Sequence, residues 1–153
     1  MRDNLRLYHT MTAQIRKWLP GERITRVRNL ALFLTGLYLS RKVHLSLIAE
    51  EWHLPGKIPS LVNRLRRFLD NPRVSVRDYY RPVAESLVSP FRDLPMRLII
   101  DTTKLGFSAR LLTVSIAYRK RALPLCWSVH RGTKGWIAAK KQIALLRHVG
   151  EMA

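Results

Sequence analysis

The chain reads as an α+β protein: helices over residues 1–90, then three strands and a closing helix over residues 91–153. Three observations predict this. Apolar residues recur at helical spacing through the first 90 positions. Ser89-Pro90 then marks a change of texture, after which short runs rich in β-formers replace the helical period. The helical period returns after Gly135, so the second part reads β-β-β-α.

Each element can be justified in turn. Leu5, Tyr8, Met11, Ile15 and Trp18 line one helical face, and Pro20-Gly21 stops it. Ile24, Val27, Leu30, Ala31, Leu34, Leu37 and Tyr38 form a second, strongly apolar face. Leu45, Ile48, Ala49 and Trp52 form a short third one, broken by Leu54-Pro55-Gly56. Leu61, Leu65, Phe68 and Leu69 mark a fourth helix, with Ser60 as its expected cap and Asn71-Pro72 as its end. Ser75 and Asp78 resemble a capping box and open a fifth helix to about Val88, with Pro82 inside it. Met96 to Asp101 is apolar but for Arg97 and its closing acid, the pattern of a strand covered on both faces. Leu111 to Tyr118 and Leu123 to Val129 are the next strands. Gly106 to Arg110 and Arg119 to Ala122 link them, the second link without a glycine. Trp136, Ile137, Ala139, Lys140, Ile143, Leu146 and Val149 then fit an amphipathic helix.

Composition narrows the function. Of 153 residues 47% are hydrophobic, a globular level, yet 28 Lys/Arg face 10 Asp/Glu for a net charge of +18. Such an excess calls for a polyanion, and nucleic acid is the first candidate. A membrane is disfavoured. The longest apolar stretch, Leu30 to Leu39, is interrupted by Thr35 and Gly36, and falls short of the roughly 20 residues a spanning helix needs. Arg2, Asp3 and Arg6 precede any apolar run, so the start does not read as a signal peptide. Cys126, the sole cysteine, excludes an internal disulfide and a cysteine-rich zinc site. A cytoplasmic, nucleoid-associated protein is expected.

Two constellations carry chemistry. The first is the helix pair around residues 44–70, which has the size of a helix-turn-helix. Its second helix carries Asn63, Arg64, Arg66 and Arg67, residue types that contact phosphates and base edges. The same pattern suits an ordinary helical hairpin with a solvated basic face. The second is Asp101, at the end of the first strand in a segment with 12 Lys/Arg and only Asp93, Asp101 and Glu151 as acids. A carboxylate there suits a divalent metal, but it equally suits a turn cap with Thr102 or Thr103. Arg119-Lys120-Arg121 and Lys140-Lys141 are solvated charge or the lining of a DNA path. His9, His44, His53, His130 and His148 show no metal-ligand spacing. Trp127 and Trp136 read as core anchors.

The segment Leu98-Ile99-Ile100-Asp101-Thr102-Thr103 resembles the first catalytic strand of DDE-type bacterial insertion-sequence transposases. Arg28 to Asp70 is similar to their N-terminal region, above all Leu45 to Trp52 and Arg64-Leu65-Arg66-Arg67-Phe68-Leu69. The β-β-β-α order resembles the opening of a ribonuclease-H-like fold. The resemblance implies Mg²⁺-dependent cleavage and joining of DNA strands, with Asp101 as the first metal ligand and catalytic acid. It implies contact with double-stranded transposon ends through Asn63, Arg64, Arg66, Arg67, Arg119, Lys120 and Arg121. The family's second Asp and downstream Glu have no counterpart here, and no metal role passes to Glu151. The expectation is the N-terminal part of a transposase, cut by design, frameshift or gene decay. It would bind DNA but be inactive alone, with residues 91–153 marginally stable by themselves. A homodimer or an association with full-length transposase is left open. The rival readings are a stand-alone DNA-binding regulator or transposase inhibitor, and a ribosome-like RNA-binding protein.

Overall fold

The computed structural model describes residues 2–52, 57–91, 93–132 and 137–152. The Leu54-Pro55-Gly56 break, His53, Gly135 and Trp136 lie outside them. The chain is α+β, with helices followed by a three-stranded antiparallel sheet and a C-terminal helix. It packs as two compact units, residues 1–79 and 80–153.

The first unit holds α1 (Arg2–Trp18), α2 (Ile24–Ser40), α3 (Leu45–Glu50) and α4 (Ile58–Leu69). Their apolar stripes meet in two buried groups. Ile15, Val27 and Ala31 join α1 to α2. Leu32, Ile48, Trp52 and Leu65 join α2, α3 and α4. Trp52 also donates its indole N–H to the Leu32 carbonyl at 3.2 Å, which satisfies its one polar atom inside the core. The helix ends differ in part from the expectation. Ser60 does not cap α4: the cap position is Lys57, and Ser60 lies inside the helix. Pro59 explains the earlier start, since its fixed φ and missing N–H suit a first turn. Arg41 closes α2 in the left-handed region, at φ 52°, its N–H bonded to the Leu37 carbonyl.

Helix α5 (Val76–Val88) begins in the first unit and continues into the second. The Ser75 hydroxyl accepts from the Asp78 N–H at 3.2 Å, one arm of the expected box. Tyr79 donates to Glu22 in the first unit, whereas Ala84 and Val88 are buried in the core of the second. The packing division therefore falls ahead of the change of texture at Ser89-Pro90, where a 3-10 turn, Ser89–Phe91, follows. The apolar residues of a helix can serve a sheet that comes later in the chain.

The sheet has the order β1 (Leu98–Leu105), β2 (Ala109–Tyr118), β3 (Arg121–Arg131), and α6 (Ala139–Gly150) follows. Leu112, Val114, Ile116, Leu125 and Cys126 pack with Leu145 and Val149 of α6. Two expectations about β1 are corrected. The strand is not covered on both faces: residues 99–105 are all exposed. The cause is position, because among the described residues β1 pairs only with β2, while α6 packs on β2 and β3. Nor does β1 end at Asp101. It runs on through Thr102, Thr103, Lys104 and Leu105, with Asp101 opposite Thr113. Two consecutive threonines are good strand formers and pair readily past an acid.

Candidate nucleic-acid interface

In the first unit, α4 turns Leu65 and Phe68 inward, which leaves Asn63, Arg64, Arg66 and Arg67 exposed on the outer side. They are not equivalent. Arg64 Nε donates to Asn29 Oδ1 of α2 at 2.8 Å, so this guanidinium ties two helices together. Arg66 donates to Asn63 Oδ1 at 3.0 Å, one turn back. A guanidinium has five N–H donors, so one such bond leaves donors for phosphate. Asn63 and Arg66 would have to part before either read a base edge bidentately. The arrangement suits backbone contact better than sequence readout.

A network that the sequence did not announce anchors this unit. Glu22, just ahead of α2, accepts from Arg26 Nε at 2.6 Å, from the Arg23 N–H at 2.6 Å and from the Tyr79 hydroxyl at 2.6 Å. Burial alone would raise the Glu22 carboxyl. The hydrogen bonds from Tyr79, Arg26 and Arg23, with the Arg26 charge, outweigh it and hold the group below its ordinary value. Burial first, and then the bond to Glu22, push the Tyr79 hydroxyl well above its ordinary range.

In the second unit, Arg119 and Lys120 form a two-residue hairpin turn between Tyr118 and Arg121. Both have positive φ, 44° and 63°, which presents three successive exposed cations at the tip. The Arg119 guanidinium lies 5.3 Å from the Tyr118 ring centroid.

Asp101 lies in mid-strand and accepts from the Thr103 hydroxyl at 3.1 Å. Side chains alternate along a strand, so Asp101 and Thr103 share one face, while Ile100, Thr102 and Lys104 share the other. Lys104 is paired with Arg110, Arg110 with His130, and these three stand on the second face. An open cleft of about 670 Å³ borders the β1 edge, lined by residues that include Thr102, Lys104, Arg110 and Gln142. Asp101 borders the cleft too, but the pleat directs its carboxylate to the opposite face from Lys104 and Arg110.

His130 is half-buried. Its Nε2 is 2.7 Å from Ser128 Oγ and its Nδ1 is 3.1 Å from Lys141 Nζ of α6. An ammonium can only donate, so Nδ1 accepts, and Nε2 carries the proton that bonds Ser128. Burial and then the Lys141 charge lower the His130 pKa, in keeping with a neutral ring. Nothing in its spacing singled out His130, because its partners come from strand register. Trp127 packs edge-on against Tyr80, 4.9 Å between ring centroids.

Mg²⁺ takes oxygen ligands from more than one group. Among the described residues no three His, Cys, Asp or Glu side chains converge, around Asp101 or elsewhere. Also among the described residues, no helix is long and apolar enough to cross a membrane. No protein-family model matches the chain, and neither the curated proteins nor the solved structures compared with it yield a match.

Proposed function

We propose that the chain binds double-stranded DNA through phosphate contacts, as the DNA-binding and first-strand portion of a DDE-type transposase. The observation that carries the reading is the coincidence of two features. One is a net charge of +18, part of it presented as exposed cations on α4 and on the β2–β3 hairpin tip. The other is an antiparallel β-β-β-α order with a carboxylate on its first strand, Asp101, opposite Thr113. The first feature supports DNA as the partner. The second supports a ribonuclease-H-like beginning and is what favours a transposase over other basic proteins. In this reading α4 and the hairpin tip neutralise phosphates, and Asp101 holds the place of a first metal ligand whose companions these residues do not supply. No strand cleavage is assigned to the chain itself.

A second reading rests on a specific observation. The described residues offer a basic surface without a converging acid set, as a DNA-binding regulator would. Both readings predict DNA binding, and Asp101 separates them from a working nuclease. Asp101→Ala should leave affinity for a mixed-sequence duplex unchanged, or raise it slightly by removing a negative charge. Fluorescence anisotropy of a labelled duplex measures this. Mg²⁺-dependent nicking of supercoiled plasmid that disappears in Asp101→Ala would overturn the assignment of no cleavage. A strong preference for structured RNA over duplex DNA in competition would overturn the DNA reading altogether.

A further inference from the structure

The tip of the β2–β3 hairpin is built against local preference. Arg119 and Lys120 are its two turn residues, and both hold a left-handed backbone, at φ 44° and 63°. Turns of this kind favour Asn-Gly, because a larger side chain crowds the carbonyl there. Two long cations thus occupy positions where stability alone selects other residues. Strain of this kind clusters where function needs the side chains that carry it. Arg121 follows at once, so three successive exposed cations stand at the tip. Among the described residues no salt bridge joins any of the three to an acid.

The base of the ribbon is fixed. Ile116 is buried, and Leu123 and Phe91 pack against the same core. The last ladder pair, Tyr118 with Arg121, is exposed, so the tip is a short finger on a packed base. Behind it the ribbon has nothing to read bases with. Ala117 pairs with Ala122 and Ile116 with Leu123, and none of these side chains can hydrogen-bond. A β-ribbon lying in the major groove reads base edges with side chains along its length. This ribbon can make polar contacts only end-on. The minor groove, about 6 Å wide, excludes a two-stranded ribbon but admits a single guanidinium. Its negative potential deepens where A·T-rich sequence narrows it, and arginine is drawn there. Guanidinium is also more weakly hydrated than ammonium, and the Tyr118 ring, 5.3 Å from the Arg119 guanidinium, steadies it at the tip.

We propose that the hairpin tip enters the minor groove of duplex DNA end-on and favours narrow, A·T-rich sequence. Arg119 is the inserted side chain, and Lys120 and Arg121 neutralise the phosphates that border the groove. Tyr118 is a positioning residue: it acts through Arg119 and need not touch DNA itself. The inference rests on the reading of the chain as a DNA binder. It deepens that reading from neutralisation of phosphates to discrimination of groove width. It also accounts for the turn, since a tip of Asn-Gly would fold better and bind worse.

The test uses the full chain and three duplexes of equal length whose central run is A·T, G·C or inosine·C, with affinity measured by anisotropy across a salt series. Inosine lacks the guanine amino group, so its pair with C shows the major groove of G·C and the minor groove of A·T. Wild type should bind the A·T and inosine duplexes alike, each tighter than the G·C duplex by roughly five-fold or more. Arg119→Lys keeps the charge and the salt slope but should lose most of that preference. Arg119→Asn/Lys120→Gly should abolish the preference and flatten the slope by about 2. It should melt no lower than wild type, so weaker binding cannot reflect unfolding. Arg16→Gln/Lys17→Gln removes the same charge from exposed positions on α1 and should leave the preference intact. An A·T preference that the inosine duplex does not share would place the contact in the major groove and overturn the proposal. Equal wild-type affinity for all three duplexes would overturn insertion. Unchanged preference and slope in Arg119→Asn/Lys120→Gly would take the tip away from DNA and leave DNA binding standing. A single strand bound more tightly than any duplex, with the difference lost in Tyr118→Ala, would replace the finger with a base-stacking platform. A wild-type chain that binds no duplex would remove the DNA reading and the finger together.

Discussion

Gly36 decides how α3 seats on α2, and through α3 how α4 is presented. A Cβ at this position would lie 2.7 Å from Ile48 Cγ2, 2.8 Å from the Ile48 carbonyl oxygen and 2.9 Å from Trp52 Nε1. Carbon atoms in contact sit at about 3.5–4.0 Å, so the added methyl overlaps the Ile48 methyl by close to 1 Å and also crowds the oxygen and the nitrogen. None of the three yields easily. The carbonyl is backbone, the Ile48 methyl belongs to a stiff β-branched side chain with no exposed surface, and Trp52 is held by its bond to Leu32. Helix propensity argues the other way, since alanine in a helix interior is favoured over glycine by about 1 kcal/mol. Overpacking a core costs about 1–3 kcal/mol, and losing the Trp52 bond adds about 1 kcal/mol. The net expectation for Gly36→Ala is a destabilisation of about 1–3 kcal/mol.

The assay must see the first unit alone, so the readout is amide hydrogen exchange of peptides from α2 and α4. A loss of 2 kcal/mol appears there as roughly thirty-fold faster exchange. Gly21→Ala is the matched control: nothing lies within 4 Å of its Cβ position, and it should be neutral or stabilising by about 0.4–1 kcal/mol. Slower or unchanged exchange in Gly36→Ala would refute the claim that close helix approach, rather than propensity, rules this position. DNA affinity should fall along with protection of α4, because the Arg66 and Arg67 donors ride on that helix.

The remaining expectations concern stability and excision. The depressed Glu22 pKa contributes stability that is present above the ordinary carboxylate value and is lost as pH falls through the folded one. The raised Tyr79 pKa contributes stability that is present below pH 10 and is lost as pH rises through its folded value. A melting profile against pH should therefore show Tyr79→Phe less stable at neutral pH by about 1.5–3 kcal/mol, with a flatter alkaline limb than wild type. In the hairpin tip, Arg119→Asn with Lys120→Gly supplies residues that accept positive φ at both turn positions. Thermal unfolding should show a gain of about 1 kcal/mol, the relieved backbone strain exceeding the lost contact with Tyr118. A segment excised at residue 80 keeps Ala84 and Val88, while one excised at residue 91 loses both buried residues. Residues 80–153 should exchange amide hydrogens more slowly in the sheet than residues 91–153, and equal rates would count against the packing role of α5.

Local patterns located most elements because each helix buries a stripe of its own. The spacings of Ile15, Val27, Ile48 and Leu65 lead directly to residues that are buried. Where the reading erred, the missing information was not local. An apolar run such as Met96 to Ile100 states that a strand forms, but not whether a helix covers it. Coverage of β1 depends on where α6 lies, some 40 residues downstream. Asp101 looked terminal because an acid interrupts the apolar run, yet hydrogen bonding to β2 continues for four residues beyond it. Pro59, by contrast, was a legible sign of where α4 begins and outranks Ser60 as a cap.

The register of β3 shows how one residue can decide a surface. The two-residue turn fixes Tyr118 opposite Arg121, and that register persists to Ser115 opposite Pro124. A bulge then intervenes, because the next pair is Val114 with Cys126, leaving Leu125 as the extra residue. Pro124 lies beside the bulge and has no N–H to offer β2, a position where sheets tolerate proline. Without the extra residue Val129 would stand opposite Arg110, and His130 would turn to the other face, away from Lys141. With it, the solvent-facing Val129 shares the Asp101 face and His130 shares the face of Arg110 and Lys104. Alternation counted along the chain assigns these side chains to the wrong faces beyond Pro124. A single inserted residue thus decides which face His130 takes, and with it the contact to Lys141.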